Sequence, residues 1–131
     1  MAPPSPMTWI AMVMLGGAGG CLLRHLLCVF IERHARATLP LATLAVNITG
    51  SFVIGLLFGA HQADAIGDLG VFLLVGGTCG AYTTFSSFCA DEVRLMRSGR
   101  PLAALFVFIL TIPGCIAVAG LGLAVARYFF G

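Results

Sequence analysis

Residues 76–88 carry the groups best able to do chemistry in this chain: Gly76, Gly77 and Gly80, then Thr83, Thr84, Phe85, Ser86, Ser87 and Phe88. Apolar sequence runs into them from residues 69–75, yet hydroxyls and glycines stand where a plain membrane helix would carry Leu and Val. Gly costs roughly 1 kcal/mol per residue against Ala in a helix, and Ser and Thr compete for backbone hydrogen bonds, which predicts a break near residues 80–84. Inside a bilayer, broken backbone is tolerated only where it is buried in protein or lines a wet cavity. A break here therefore points to an ion or substrate site at membrane depth. Neutral donors and aromatic edges can replace part of an anion's hydration shell without fixing it by a full opposite charge, which is a conduction chemistry.

Other residues fall at spacings that extend this set. Thr43, Asn47, Ser51, Gly55 and Gly59 recur every four residues and share one helix stripe. An unpaired amide at the depth of Asn47 would cost a few kcal/mol, so Asn47 either hydrogen-bonds a neighbouring helix or turns its NH2 group to a polar path. Thr111 and Cys115 continue a four-residue stripe with Val107, and residues 111–115 echo residues 47–51. Pro113 between them removes a backbone donor and predicts a kink. If helix resumes after the break, Phe85 and Phe88 share a face with Glu92. Arg24 either snorkels to the headgroups or faces inward, where a guanidinium attracts anions or ties down a helix end.

These groups need elements that hold them in a membrane. The 131 residues are 60% hydrophobic and 9% charged, with a mean hydropathy of +1.05. Soluble domains carry about 25% charge, so the chain reads as a single-domain, all-α membrane protein. Charges cluster at residues 24–36, 64–68 and 91–100 and at Arg127, and they mark off four largely apolar spans at approximately residues 8–31, 41–60, 69–95 and 102–127. Each span is close to the ~20 residues that cross the hydrocarbon core as a helix. Gly16, Gly17, Gly19 and Gly20 bare the backbone of the first span for close helix approach. Gly55 and Gly59 give a weaker signal of the same kind. Residues 1–6 lack the basic segment of a cleaved signal peptide, so the first span is expected to be retained. Glu32, Arg33, His34 and Arg36 are expected to form a solvated loop.

Several function classes are disfavoured. With no lysine and a net charge of +2 there is no basic patch for nucleic acid. The five cysteines form no C-x-x-C pair and read as small buried thiols. No constellation supports enzyme chemistry, and no membrane-centred carboxylate serves a proton-coupled exporter.

Three motifs resemble the Fluc (CrcB-type) fluoride channels. They are Gly-Gly-x-Gly-Gly-x-x-x-Arg at residues 16–24, Pro-Leu-Ala-Thr-Leu-Ala-Val-Asn-Ile-Thr-Gly-Ser-Phe at residues 40–52, and Gly-x-x-Thr-Thr-Phe-Ser-Ser-Phe at residues 80–88. Order, spacing and length agree over nearly the whole chain, and the Thr-Thr-Phe element is the most specific. The resemblance implies four transmembrane helices with a broken third helix, assembled as an antiparallel (dual-topology) dimer. It implies two fluoride pathways and a structural central sodium ion, Na+, held by the Gly80 and Thr83 carbonyls of both subunits. Phe85 and Phe88 would offer ring edges to fluoride and Asn47 its amide, with Thr43, Thr84, Ser87, Thr111 and Arg24 completing the pathway. Where the family commonly has polar residues on the fourth-span stripe, this chain has Val107, Thr111 and Cys115; Ala81 and Tyr82 also depart from its pattern.

Arginine placement bears on assembly. Arg33, Arg36, Arg94, Arg97 and Arg100 fall on one side of the membrane and Arg127 on the other, whereas a chain inserting both ways should show little bias. The expectation is an antiparallel homodimer in lipid, with pairing to a paralogue as the rival, in a bacterial inner membrane. The alternatives in other classes are a small multidrug-type secondary transporter and a structural membrane subunit that transports nothing.

Overall fold

The computed structural model describes residues 5–35 and 38–131. Arg36 of the first expected loop and residues 1–4 of the proline-rich start lie outside the described residues. Four stretches are long and apolar enough to cross a membrane: Pro6–His34, Leu41–Gln62, Asp68–Arg97 and Pro101–Phe130. All regular structure among the described residues is helical.

Helix α1 (Pro6–His34) starts where the Ser5 side chain accepts from the Thr8 amide and Pro6 takes the first helical position, which needs no amide donor. It runs on through Glu32, Arg33 and His34, so these three extend the helix instead of forming the expected loop. Its last turn carries Arg33 and His34, and cations there suit the negative end of the helix dipole. Helix α2 (Leu41–Gln62) follows Pro40. The third span is composite: α3 (Asp68–Val71), a π-helical segment (Phe72–Cys79), α4 (Gly80–Tyr82) and α5 (Phe85–Arg97). Gly99 supplies the left-handed turn (φ 74°) that leads into α6. Helix α6 (Pro101–Phe130) continues through Pro113 as one element.

Packing sorts these elements into two close pairs, with α2 against α6 and α1 against the π segment and α4. Both pairs are made by missing side chains. A Cβ on Gly16 would overlap the Leu73 carbonyl, one on Gly20 the Thr78 carbonyl, and one on Gly77 would approach the Val13 carbonyl at 2.8 Å. Across the other pair, Gly55 abuts the Ala119 backbone and Gly122 the Phe52 backbone. Without a hydrophobic force between helices in lipid, such backbone approach supplies the van der Waals contact that holds spans together. Gly55 and Gly59 thus carry more packing than their motif alone implied. Gly19 meets nothing within 4 Å, so the glycine run in α1 is only half a contact surface. Gly20→Ala is therefore expected to destabilise by about 1–3 kcal/mol through overpacking. Gly19→Ala should be neutral or stabilise by up to about 1 kcal/mol, and thermal unfolding of the two purified variants reads the opposite signs.

The π segment was not foreseen. Its wider turn carries i to i−5 bonding, repeated by the Thr78 hydroxyl, which donates to the Leu73 carbonyl at 3.1 Å. Such segments are rare and recur at functional sites. Here it delivers the chain to the break.

Helices α5 and α6 share a small core of Phe88, Leu95, Ala104 and Val107, with Leu39, Ala103 and Ile112 around it. At one end, Arg100 donates to the Thr38 carbonyl at 2.8 Å, joining the first and third connections. At the other end, Arg127 donates to Gln62.

Candidate functional site

The break falls at Thr83 and Thr84, inside the expected interval. Both residues are extended, with ψ of 160° and 114°. Thr83 still donates its amide to the Cys79 carbonyl at 2.9 Å. The next amide, Thr84, is the one that would close a turn onto the Gly80 carbonyl, but it turns instead to Asn47 Oδ1 at 2.8 Å. Asn47 Nδ2 donates in return to the Thr84 carbonyl at 3.0 Å. Thus one buried side chain on α2 replaces both backbone partners that the broken helix has lost, as required where no water can do so. The two readings left open for Asn47 are compatible: one amide hydrogen ties the break, and a second remains for another acceptor.

Helix α5 restarts on a side-chain cap. The Thr84 hydroxyl accepts from the Ser87 amide at 3.2 Å and donates to the Ser87 hydroxyl at 3.0 Å. Thr84 and Ser87 therefore shape the entry to α5, and Ser87 lies on an exposed face. Because Thr84 is diverted, the Gly80 carbonyl has no turn-closing donor, and the Thr83 carbonyl sits in extended backbone ahead of the cap. Gly80 itself is exposed on the single chain.

Two grooves meet at Phe85. One, of about 290 Å³, runs between α2 and α6 at the break and is lined by Asn47, Ser51, Thr83, Thr84, Thr111 and Cys115, among others. The second, of about 570 Å³, follows α5 and α6 past Phe88, Glu92 and Phe108 towards Pro101. Phe85 lines both and is 68% exposed, with its ring centroid 5.6 Å from that of Phe88. Phe88 is buried in the α5–α6 core, so much of its ring is committed to packing. Glu92 shares the second groove with both rings, as the helical spacing required.

The fourth-span stripe divides. Thr111 and Cys115 face the first groove opposite Asn47 and Ser51, so the two echoing segments do present their polar positions to one space. Val107 packs in the core and does not line that groove. Thr111 is 4% exposed, and its hydroxyl is buried without a hydrogen-bond partner among the described residues. Glu92 Oε1 is in the same condition. Buried polar groups are normally paired, so the unpartnered Thr111 hydroxyl beside the first groove is a departure that calls for a physical reason.

Two residues lie away from these grooves. Thr43 Oγ1 donates to Asp91 Oδ2 at 2.6 Å, and Asp91 Oδ1 accepts from Arg94 at 2.9 Å. This buried node fastens the start of α2 to α5, a role that the spacing of Thr43 on the Asn47 stripe did not reveal. Arg24 projects from α1, where its guanidinium reaches Cys21 Sγ at 3.7 Å, and it lines neither groove. Tyr82 went unread as a site residue, although a phenol in an apolar run requires a partner for its hydroxyl. That partner is Thr49, at 2.8 Å.

Comparisons with known proteins agree with one another. Residues 11–123 match the family described as CrcB-like protein, Camphor Resistance (CrcB). A protein of Agrobacterium fabrum named fluoride-specific ion channel FluC is 42% identical, over 92% of this chain and 98% of that protein. Proteins of the same name from Rhizobium meliloti, at 37%, and Flavobacterium psychrophilum, at 34%, align over the same shares of chain and relative. With four membrane-length helices and a family match over most of its length, the chain is a multi-pass membrane protein belonging to the CrcB-like family.

Proposed function

We propose that the chain is a fluoride-selective ion channel, not an enzyme, and that it gives passive fluoride efflux across the bacterial inner membrane. The observation that carries this reading is the convergence of donors at the break. Thr111 with its unpartnered hydroxyl, Asn47 with a second amide hydrogen to give, and Phe85 line one groove beside a gap in the helix. Fluoride is small and tightly hydrated, so closely set hydroxyl, amide and ring-edge contacts would compensate its dehydration better than that of the larger chloride. The names of the relatives support the same ion.

The working unit is an antiparallel homodimer with two pathways. Its support is that Phe85 and Gly80 are exposed on the single chain, which leaves the groove open and the break uncovered.

A structural sodium ion fits the donor set at the break. Carbonyl oxygens suit a hard cation: the diverted Thr84 amide leaves the Gly80 carbonyl available, and the Ser87 amide, taken by the Thr84 hydroxyl, leaves the Thr83 carbonyl available. These two residues from each subunit would hold it, and when bound it would supply fixed positive charge beside an anion path.

The test is fluoride efflux from liposomes containing purified protein, read with a fluoride electrode and with chloride as the paired control. Fluoride release without chloride release is expected. No release from well-incorporated protein, or equal release of both ions, would overturn the reading.

A further inference from the structure

We infer that Tyr82 is a positioning residue for the break, acting as a hydroxyl latch that fixes the Gly80 and Thr83 carbonyls against α2. Tyr82 is the last residue of the three-residue helix α4, and the two extended residues follow it directly. It also ends the unbroken helical run of residues 68–82, so its tertiary contacts set where that run stops. Asn47 supplies one such contact on the far side of the break, to Thr84. Tyr82 supplies the other on the near side, where its hydroxyl lies 2.8 Å from Thr49 Oγ1.

The direction of this bond follows from counting protons. The Thr49 hydroxyl has one, and it is donated to the Ala45 carbonyl at 2.7 Å. The Tyr82 hydroxyl must therefore donate to Thr49, giving an ordered chain from Tyr82 through Thr49 to the α2 backbone. The surroundings reinforce it. The pair lies in a mainly apolar groove of about 360 Å³ lined by Leu23, Leu27 and Val53 among others, and the other hydroxyl there, that of Thr78, is already donated to the Leu73 carbonyl. The next residue on α2 is Gly50, where a Cβ would overlap Thr83 Cγ2 and lie 3.1 Å from Tyr82 Cδ1. The end of α4 thus rests on bare α2 backbone, with the phenol ring beside it and its hydroxyl pinned one residue earlier. Asn47 and Thr49 bracket the break from the same helix, so the Thr83 carbonyl lies between the two fixed points, Tyr82 and Thr84, and the Gly80 carbonyl two residues before the first of them.

This inference rests on the sodium reading given above, and its test separates the two. Thermal unfolding of the detergent-purified dimer is followed as sodium chloride replaces N-methyl-D-glucamine chloride at constant ionic strength. A ligand that binds only the folded state raises the midpoint with its concentration. Wild-type protein is expected to respond, and Tyr82→Phe, which keeps the ring, to need roughly three- to tenfold more sodium for the same rise. Thr49→Val should shift the response alike, the double variant should shift it no further, and Thr49→Ser should restore it. A midpoint lowered equally at every sodium concentration would make the pair a packing contact only and overturn the inference. A wild-type protein indifferent to sodium would remove the sodium reading, and this inference with it.

Discussion

Phe85→Ile should abolish fluoride efflux while leaving the protein folded. Phe85 is 68% exposed on the single chain and stands in the first turn of α5, outside the core cluster that holds Phe88. Substitutions outside a chain's buried features usually cost within about 0.5 kcal/mol, so little of the single chain's own stability is at stake, and any effect falls on the dimer contact. Its position on the path is another matter, because the break groove and the α5–α6 groove share Phe85. Isoleucine fills comparable space but has no ring edge, so an anion passing between the grooves loses its positive partner at the junction. A loss of about 2.7 kcal/mol in the barrier would slow flux roughly a hundredfold. Efflux and size-exclusion elution measured on the same preparation decide the matter. Retained flux would take Phe85 off the path, and a protein that aggregates would make it a packing residue.

The contrast with Phe88 marks how far the sequence could be read. The two rings are three residues apart and equivalent by spacing, yet one is exposed at a junction and the other is 4% exposed in the core. Spacing shows that they share a face but not what covers it. The same limit explains Thr43, placed on the Asn47 stripe by periodicity but hydrogen-bonded to Asp91, and Val107, packed under Phe88 away from the groove. The membrane spans and the break were legible because they depend on local properties: apolar length against bilayer thickness, and glycine and hydroxyl content against helix propensity. The π segment, the Tyr82–Thr49 bond and the reciprocal Asn47–Thr84 pair depend on which helix meets which. Two positions departing from the family pattern gain a physical reading in this way. Val107 is core, and Tyr82 has a polar partner.

Asn47 should prove the least replaceable side chain in the protein, and two substitutions should separate its two duties. Asn47→Leu keeps the branching and the number of side-chain heavy atoms but strands the Thr84 amide and carbonyl together at membrane depth. Each unsatisfied group costs about 1–3 kcal/mol, so roughly 2–6 kcal/mol is lost from a total that is typically 5–15 kcal/mol. Asn47→Leu is therefore expected to give little folded protein. Asn47→Asp is the more informative change. Its Oδ1 still accepts from the Thr84 amide, but its second oxygen replaces a donor that stood 3.0 Å from the Thr84 carbonyl, so stability should fall between wild type and Asn47→Leu. Flux should not follow that ranking. A carboxylate charge about 5 Å from a passing anion opposes it by roughly 3 kcal/mol at an effective dielectric of about 20, or some two orders of magnitude in rate. Thermal unfolding and efflux of the same variants therefore separate what one assay would merge. If Asn47 only ties the break, flux per folded dimer should survive in Asn47→Asp; if its remaining amide hydrogen also faces the ion, the folded protein should be silent.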